Sequence, residues 1–268
     1  MVGALLVLVG VPSARLGAAG PAGPFAPLHG AGTRPPWTPS ALPAGTVPAS
    51  SPAAAAAVPR RLVVLGDSVP AGWACNCPGF GADLATHESA ALTNEAVPGL
   101  TSQGLLDQLN TPEVITAVSS ATLVTVTVGA NDFPESQAVD AGCADLSCYR
   151  PTVAQLTTTM GLVMARIAAL THPDTKVVMT GYWNVFRDGT VGTQQGTTYV
   201  ATSDALTRTV NASLAQVAAA YEDIYTDLYA PFKGNGTGDD TDLLSDDGDH
   251  PNTAGQAVIA SAITHDLA

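Results

Sequence analysis

Positive charge is what this chain has least of. Ten Lys and Arg stand against 23 Asp and Glu, a net charge of −13 over 268 residues. Arg15 and Arg34 are the sole charged side chains in residues 1–58, so the remainder holds eight basic against 23 acidic groups, a net of −15. Such a surface repels phosphate backbones and offers no basic patch, which excludes nucleic acid as a partner and argues against charge-driven binding to an anionic membrane. Cysteine is almost as scarce. Cys75, Cys77, Cys143 and Cys148 fit neither a paired C-x-x-C zinc site nor a single nucleophilic thiol. An even count in a chain with export features predicts disulfides. Cys143 with Cys148 would be an ordinary local bridge, whereas Cys75 with Cys77 would close a cramped ring; cross-linking of the two loops is the other arrangement, and spacing does not choose among them. The apolar run Gly3 to Val11 is too short to span a bilayer and precedes the small residues Gly17-Ala18-Ala19, so residues 1–19 read as a signal peptide and the protein as secreted.

After the leader the composition changes. Eleven of the 20 prolines fall between Pro12 and Pro59, and Ala, Gly and Ser supply most of the rest. A segment like this buries too little apolar surface to offset its ordering entropy, so residues 20–59 are expected to be a disordered tether, which would allow association with the cell surface. Residues 60–268, about 210 residues, suffice for one α/β domain. Strand signals lie at Leu62 to Leu65, Leu92 to Val97, Leu123 to Val128, Lys176 to Thr180 and Ile224 to Leu228. Helical spacing runs through Ser102 to Leu109, Val153 to Leu170, Thr202 to Tyr221 and Ala254 to Leu267. There is no internal repeat. Alternating strands and helices argue for a parallel sheet covered on both faces.

The chemistry gathers first at Leu62-Val63-Val64-Leu65-Gly66-Asp67-Ser68-Val69-Pro70-Ala71-Gly72. A buried strand stops at Gly66, and a serine just past it stands at the carboxyl edge of the sheet, where open α/β folds bind ligands. Such a hydroxyl is placed to be a nucleophile, though Gly-Asp-Ser alone is also an ordinary polar turn. A serine nucleophile needs a base and an acid to orient it. Of five histidines, His250 alone has a suitable neighbour: in Asp247-Gly248-Asp249-His250-Pro251-Asn252 the spacing from Asp247 turns both side chains the same way, and Pro251 and Asn252 begin the last helix. Two strand-ending turns supply donors for an oxyanion: Val128-Gly129-Ala130-Asn131-Asp132, through the Asn131 amide, and Asn94-Glu95-Ala96-Val97-Pro98-Gly99, through a backbone N–H at Gly99.

Taken in order, Gly-Asp-Ser at Ser68, Gly99, Gly-x-Asn-Asp at Asn131 and Asp-x-x-His at Asp247 and His250 resemble the four blocks of the SGNH hydrolases, the GDSL esterase and lipase family. The resemblance covers about Arg61 to Ala268 and includes the Gly-Asp-Ser-x-x-x-Gly continuation to Gly72. It implies a flavodoxin-like three-layer α/β/α sandwich with a parallel sheet, carrying a serine esterase or lipase with no cofactor and no metal. Ser68 would be the nucleophile, His250 the general base and then acid, and Asp247 its orienting partner. The Ser68 N–H, the Gly99 N–H and the Asn131 side chain would form the oxyanion hole. The second block is the loosest match.

Expected substrates are small-molecule, lipid or carbohydrate esters. The lack of a long apolar lid favours short or medium acyl chains, and a monomer is expected. Trp73 and Phe80 on one side, with Trp183, Asn184 and Phe186 on the other, either line the acyl pocket or clamp the core. Asp239, Asp240, Asp242, Asp246, Asp247 and Asp249 fit no EF-hand spacing and read as a solvated acidic loop. Two rivals use the same fold: an acyltransferase handing the acyl group to an alcohol, and a non-catalytic exported binding module, which should lack a triad or oxyanion residue.

Overall fold

The computed structural model describes residues 59–133 and 146–268. The expected leader and tether, apart from Pro59, lie outside the described residues, as does Cys143.

Five strands form one parallel sheet in the order β2-β1-β3-β4-β5, with β1 Arg61–Gly66, β2 Ala91–Asn94, β3 Leu123–Thr127, β4 Lys176–Thr180 and β5 Ile224–Thr226. Leu62 to Leu65 and Val124 to Val126 are at most 2% exposed, because the central strands are covered on both faces and need apolar side chains on nearly every residue. Helices α1 (Phe80–Glu88) and α8 (Thr253–Leu267) pack together; α4 (Arg150–Leu170) packs against α2 (Ser102–Gln108), α3 (Pro112–Ser119) and α6 (Thr197–Ala220). Those two groups are the outer layers of the α/β/α sandwich. Two short helices, α5 (Gly189–Gln194) and α7 (Tyr229–Lys233), complete it. By length and composition α4 is apolar enough to cross a membrane, but Leu156, Met160, Val163, Met164 and Ile167 line its buried face here.

The expected strands and helices are present with shifted ends. β2 stops at Asn94, before Pro98, and all four of its residues are exposed at the sheet edge, so little apolar patterning was needed there. α6 starts five residues ahead of its expected beginning, behind Gly196 at φ +97°. α1 and α3 have no counterpart among the expected helices. α3 is announced by Thr111-Pro112 rather than by periodicity, and buries only Val114 and Val118.

Cys75 and Cys77 are bonded to each other, with Cα atoms 5.2 Å apart. The cramped ring closes because Ala74 and Asn76 adopt left-handed φ values of 64° and 51°. The pairing expected of Cys143 lies outside the described residues; among the described residues no cysteine is free.

The acidic segment is not wholly solvated, which corrects the expectation for Asp240. Asp240 is 1% exposed and shares a buried cluster with Asp188 and Lys233, whose ammonium donates to the Asp188 carboxylate. Burial first, and then the Asp188 charge, push Asp240 up to about 7 despite Lys233. Asp239, Asp242, Asp246 and Asp247 are exposed as expected.

Three substitutions test this frame. Gly66, at φ +137°, would place a Cβ 1.9 Å from the Thr127 carbonyl oxygen, so Gly66→Ala should cost about 3 kcal/mol or more in urea denaturation. Gly161, in α4 with open space around it, should gain up to about 1 kcal/mol as Ala. For Asp240, an acid raised to about 7 binds a proton more tightly folded than unfolded, so stability falls as pH rises between about 4 and 7. Asp240→Asn should therefore raise the thermal midpoint at pH 8 on the order of 2–4 °C, and less at pH 5.

Candidate active site

At the carboxyl edge of the sheet, β1 pairs with β2 on one side and β3 on the other, which opens a crevice between the turns after β1 and β3. Ser68 lies on the first turn and Asn131 on the second, a 3-10 turn Ala130–Asp132. The β1 turn is tied down at once: Asp67 N–H donates to Thr127 O (3.0 Å), the Asp67 carboxylate accepts from Val69 N–H (3.0 Å), and Trp73 N–H donates to Ser68 O (3.0 Å). The serine is thus presented on a closed loop rather than packed into a helix.

His250 comes from the far end of the chain. Leu244 and Pro251 form an antiparallel bridge, and Ser245 N–H donates to His250 O (2.8 Å), closing a loop over Asp246 to Asp249. One Asp247 oxygen accepts from the N–H groups of Asp249 (3.0 Å) and His250 (3.1 Å), and the other lies 2.8 Å from His250 Nδ1. Burial pushes Asp247 up, but these backbone donors and the imidazole outweigh it and hold the carboxyl below the usual range. His250 Nε2 is 2.9 Å from Ser68 Oγ. The chain Asp247–His250–Ser68 is continuous.

Behind His250, Asn252 caps α8, accepting from Ala254 and Gly255 N–H (2.8 and 3.1 Å). Gln256, 2% exposed, donates to Val69 O (2.9 Å) and accepts from Phe80 N–H (2.8 Å), so α8 grips the serine turn directly. Asp188, of the buried cluster, donates its N–H to Gly248 O (2.6 Å) and anchors the histidine loop from outside.

A cavity of about 200 Å³ is lined by Ser68, Asn131 and His250 together with Phe133, Trp183, Val185 and Phe186. Asn131 donates one amide hydrogen to Leu100 O (3.1 Å), which orients the group and leaves its second hydrogen for another acceptor. Asp132 accepts from both N–H and Oγ of Ser102 (2.8 and 2.6 Å), binding the β3 turn to the start of α2. Gly99, at φ +80° and exposed, stands one residue before Leu100 and is not among the lining residues.

The aromatic candidates divide. Phe186 lines the cavity; Trp183 does so too but is 1% exposed and stacks on Phe232 with ring centres 4.4 Å apart. Asn184 spends its amide on Ser203, Thr207 and the Phe186 N–H. Phe80, the first residue of α1, is fully buried in the core, and Trp73 is 57% exposed and does not line the cavity. Sequence reasoning missed Tyr182 and Gln256. Tyr182 carries a readable signal, a polar aromatic two residues past an apolar strand; Gln256 carries none, since one glutamine on a helix resembles any surface residue.

The matched family model, the GDSL-like lipase/acylhydrolase family, spans residues 64–258. The fold is similar to that of an extracellular lipase from Streptomyces rimosus at 21% identity, covering 77% of this chain and 99% of that one, with a TM-score of 0.64. It is similar also to the lipase Lip_vut3 from a goat rumen metagenome, at 20% identity, 77% and 96% coverage and a TM-score of 0.63. A phospholipase A1 from Streptomyces albidoflavus aligns at 22% identity, 78% and 99% coverage and a TM-score of 0.56. Comparison with curated protein sequences gives no match. With a five-stranded parallel sheet of this order and a family match over most of its length, the chain belongs to the GDSL-like lipase/acylhydrolase family of ester hydrolases.

Proposed function

We propose that this is a secreted serine esterase that cleaves carboxylic esters of short to medium acyl chain through an acyl-enzyme on Ser68. The observation that carries the reading is the unbroken chain from Asp247 through both ring nitrogens of His250 to Ser68 Oγ, at 2.8 and 2.9 Å.

Ser68 Oγ attacks the ester carbonyl as His250 Nε2 takes its proton, and Asp247, held ionised, orients the ring and steadies the imidazolium. The oxyanion that forms is met by the free hydrogen of the Asn131 amide and by the Ser68 N–H. His250 then gives its proton to the leaving alcohol. Water, activated by the same imidazole, releases the acid and restores Ser68. No cofactor enters these steps.

A cavity of about 200 Å³ walled by Phe133, Val185 and Phe186 suits a short acyl chain and lies below the range usual for larger ligands. The Cys75–Cys77 bridge supports an oxidising compartment, and so secretion. An intact hydrogen-bonded triad speaks against a binding module. The Pro- and Ala-rich segment ahead of the domain is the natural place for a surface tether, and the acidic surface makes nucleic acid an unsuitable partner.

The test is hydrolysis of p-nitrophenyl esters from acetate to palmitate. Activity should be highest at the short end and vanish in Ser68→Ala; Asp247→Asn should lower kcat about 10³- to 10⁴-fold and Asn131→Ala about a hundredfold or more, each with a wild-type fold by circular dichroism. Activity surviving in Ser68→Ala would overturn the reading. Product formed only when an alcohol is added would make the enzyme an acyltransferase.

A further inference from the structure

Behind the serine lies a hydrogen-bond junction that the triad does not use. Asp67 is 1% exposed and Tyr182 is 1% exposed, and the Tyr182 hydroxyl donates to Asp67 Oδ2 at 2.5 Å. The other Asp67 oxygen accepts from Val69 N–H, across Ser68. The same tyrosine oxygen accepts from Ala130 N–H at 3.4 Å, one residue before Asn131.

Tyr182 is itself immobilised. Its N–H donates to Asn211 Oδ1 (2.9 Å) and its carbonyl accepts from Asn211 Nδ2 (2.7 Å), so α6 clamps the peptide from both sides. Gly181 N–H donates to Thr226 O (3.0 Å), and a Cβ at Gly181 would lie 2.2 Å from the Tyr225 hydroxyl and 2.8 Å from Asn211 Oδ1, so a larger residue there would displace Tyr225 and press on the asparagine that holds Tyr182.

We propose that Tyr182 is a positioning residue that locks the Ser68 turn to the Asn131 turn, setting the distance between nucleophile and oxyanion donor through Asp67 on one side and Ala130 on the other. The inference rests on the esterase reading of Ser68. The tyrosine is part of the cavity wall, but its hydroxyl is bonded to Asp67 and to the Ala130 N–H rather than to Ser68 or His250. It acts by holding two turns that come from different strands and that share no side-chain bond of their own among the described residues.

The junction also has a proton equilibrium. Burial pushes Asp67 up to about 7, with the Tyr182 hydroxyl and the Val69 N–H pulling it down, Asp249 pushing it up and His250 pulling it down. Tyr182 faces Asp67, Asp132 and the Ala130 N–H. An ionised Asp67 accepts both of its hydrogen bonds; a protonated Asp67 accepts them less well and so holds the two turns less firmly. Removing the tyrosine hydroxyl takes away a bond to the charged form, so the Asp67 pKa must rise.

The experiment compares wild type, Tyr182→Phe, Asp67→Asn and Ser68→Ala on p-nitrophenyl acetate across pH 5–9, together with the side-chain amide resonance of Asn131 in uniformly nitrogen-15-labelled protein. Tyr182→Phe keeps the ring and its packing. It should lower kcat about tenfold with KM within twofold, move the acid limb of the kcat profile to higher pH, and shift the Asn131 amide resonance. Asp67→Asn should lower kcat and flatten the part of the limb that moved. A Tyr182→Phe enzyme with wild-type kcat, limb and resonance would overturn the inference while Ser68→Ala remains dead. Activity in Ser68→Ala would instead strike the esterase reading, and the resonance shift would still decide the role of Tyr182. If Tyr182→Phe does not fold, an Asp67→Asn protein with an unchanged limb and an unchanged Asn131 resonance overturns the proposal equally.

Discussion

The contact on which the site depends is the close approach of β1 and β3 at their carboxyl ends. Gly66 stands where a Cβ would lie 1.9 Å from the Thr127 carbonyl oxygen, and Asp67 N–H donates to that same oxygen at 3.0 Å. Two turns leave from this point, one carrying Ser68 and the other Asn131. Because the backbones nearly touch, the Ser68 hydroxyl and the Asn131 amide open into one crevice. A side chain at Gly66 would drive the strands apart just where the two turns leave them.

Around that contact the protein arranges long-range grips as well as local ones. Gln256 reaches from the last helix to the serine turn, Asn252 caps that helix and holds the acidic segment, and Asp188 holds Gly248 within the loop that leads to His250. The histidine lies 182 residues from the serine it faces, so its 2.9 Å contact rests on these grips. The Gln256 and Asp188 bonds join distant stretches of the chain, the Asn252 bonds are local, and losing a buried one would leave a polar group unpaired.

The electrostatics follow from the scarcity of basic residues. With so few cations, the acids around the site meet their charges mainly with N–H and O–H donors. Asp67 has Tyr182 and Val69, Asp132 has Ser102, and Asp247 has two backbone N–H groups and His250. Where donors outweigh desolvation the carboxyl stays ionised, as at Asp247; where burial wins, it is pushed up, as at Asp67. Asp240, beside a buried lysine, is still raised, first by burial and then by the charge of Asp188, which accepts from the ammonium.

By itself the sequence determined the strand-by-strand alternation and the parallel sheet, and it pointed to Ser68, Asp247 and His250, which the fold joins in one hydrogen-bonded chain. Apolar runs such as Leu62 to Leu65 report burial on both faces, and Gly-Asp-Ser, Gly-x-Asn-Asp and Asp-x-x-His are short strings in which neighbouring atoms do the work. Elements with little burial to advertise, β2 at the edge and α3 with two buried valines, were faint or silent for the same physical reason. Only the tertiary structure decided that Phe80 is core, that Trp73 lies off the cavity, that Cys75 bonds to Cys77, and that Asp240 is buried against Lys233. It alone brought Tyr182 to Asp67 and Gln256 to Val69. Those pairings join residues 115 and 187 positions apart, and no periodicity or local spacing records a contact made by the folding of the sheet upon its helices.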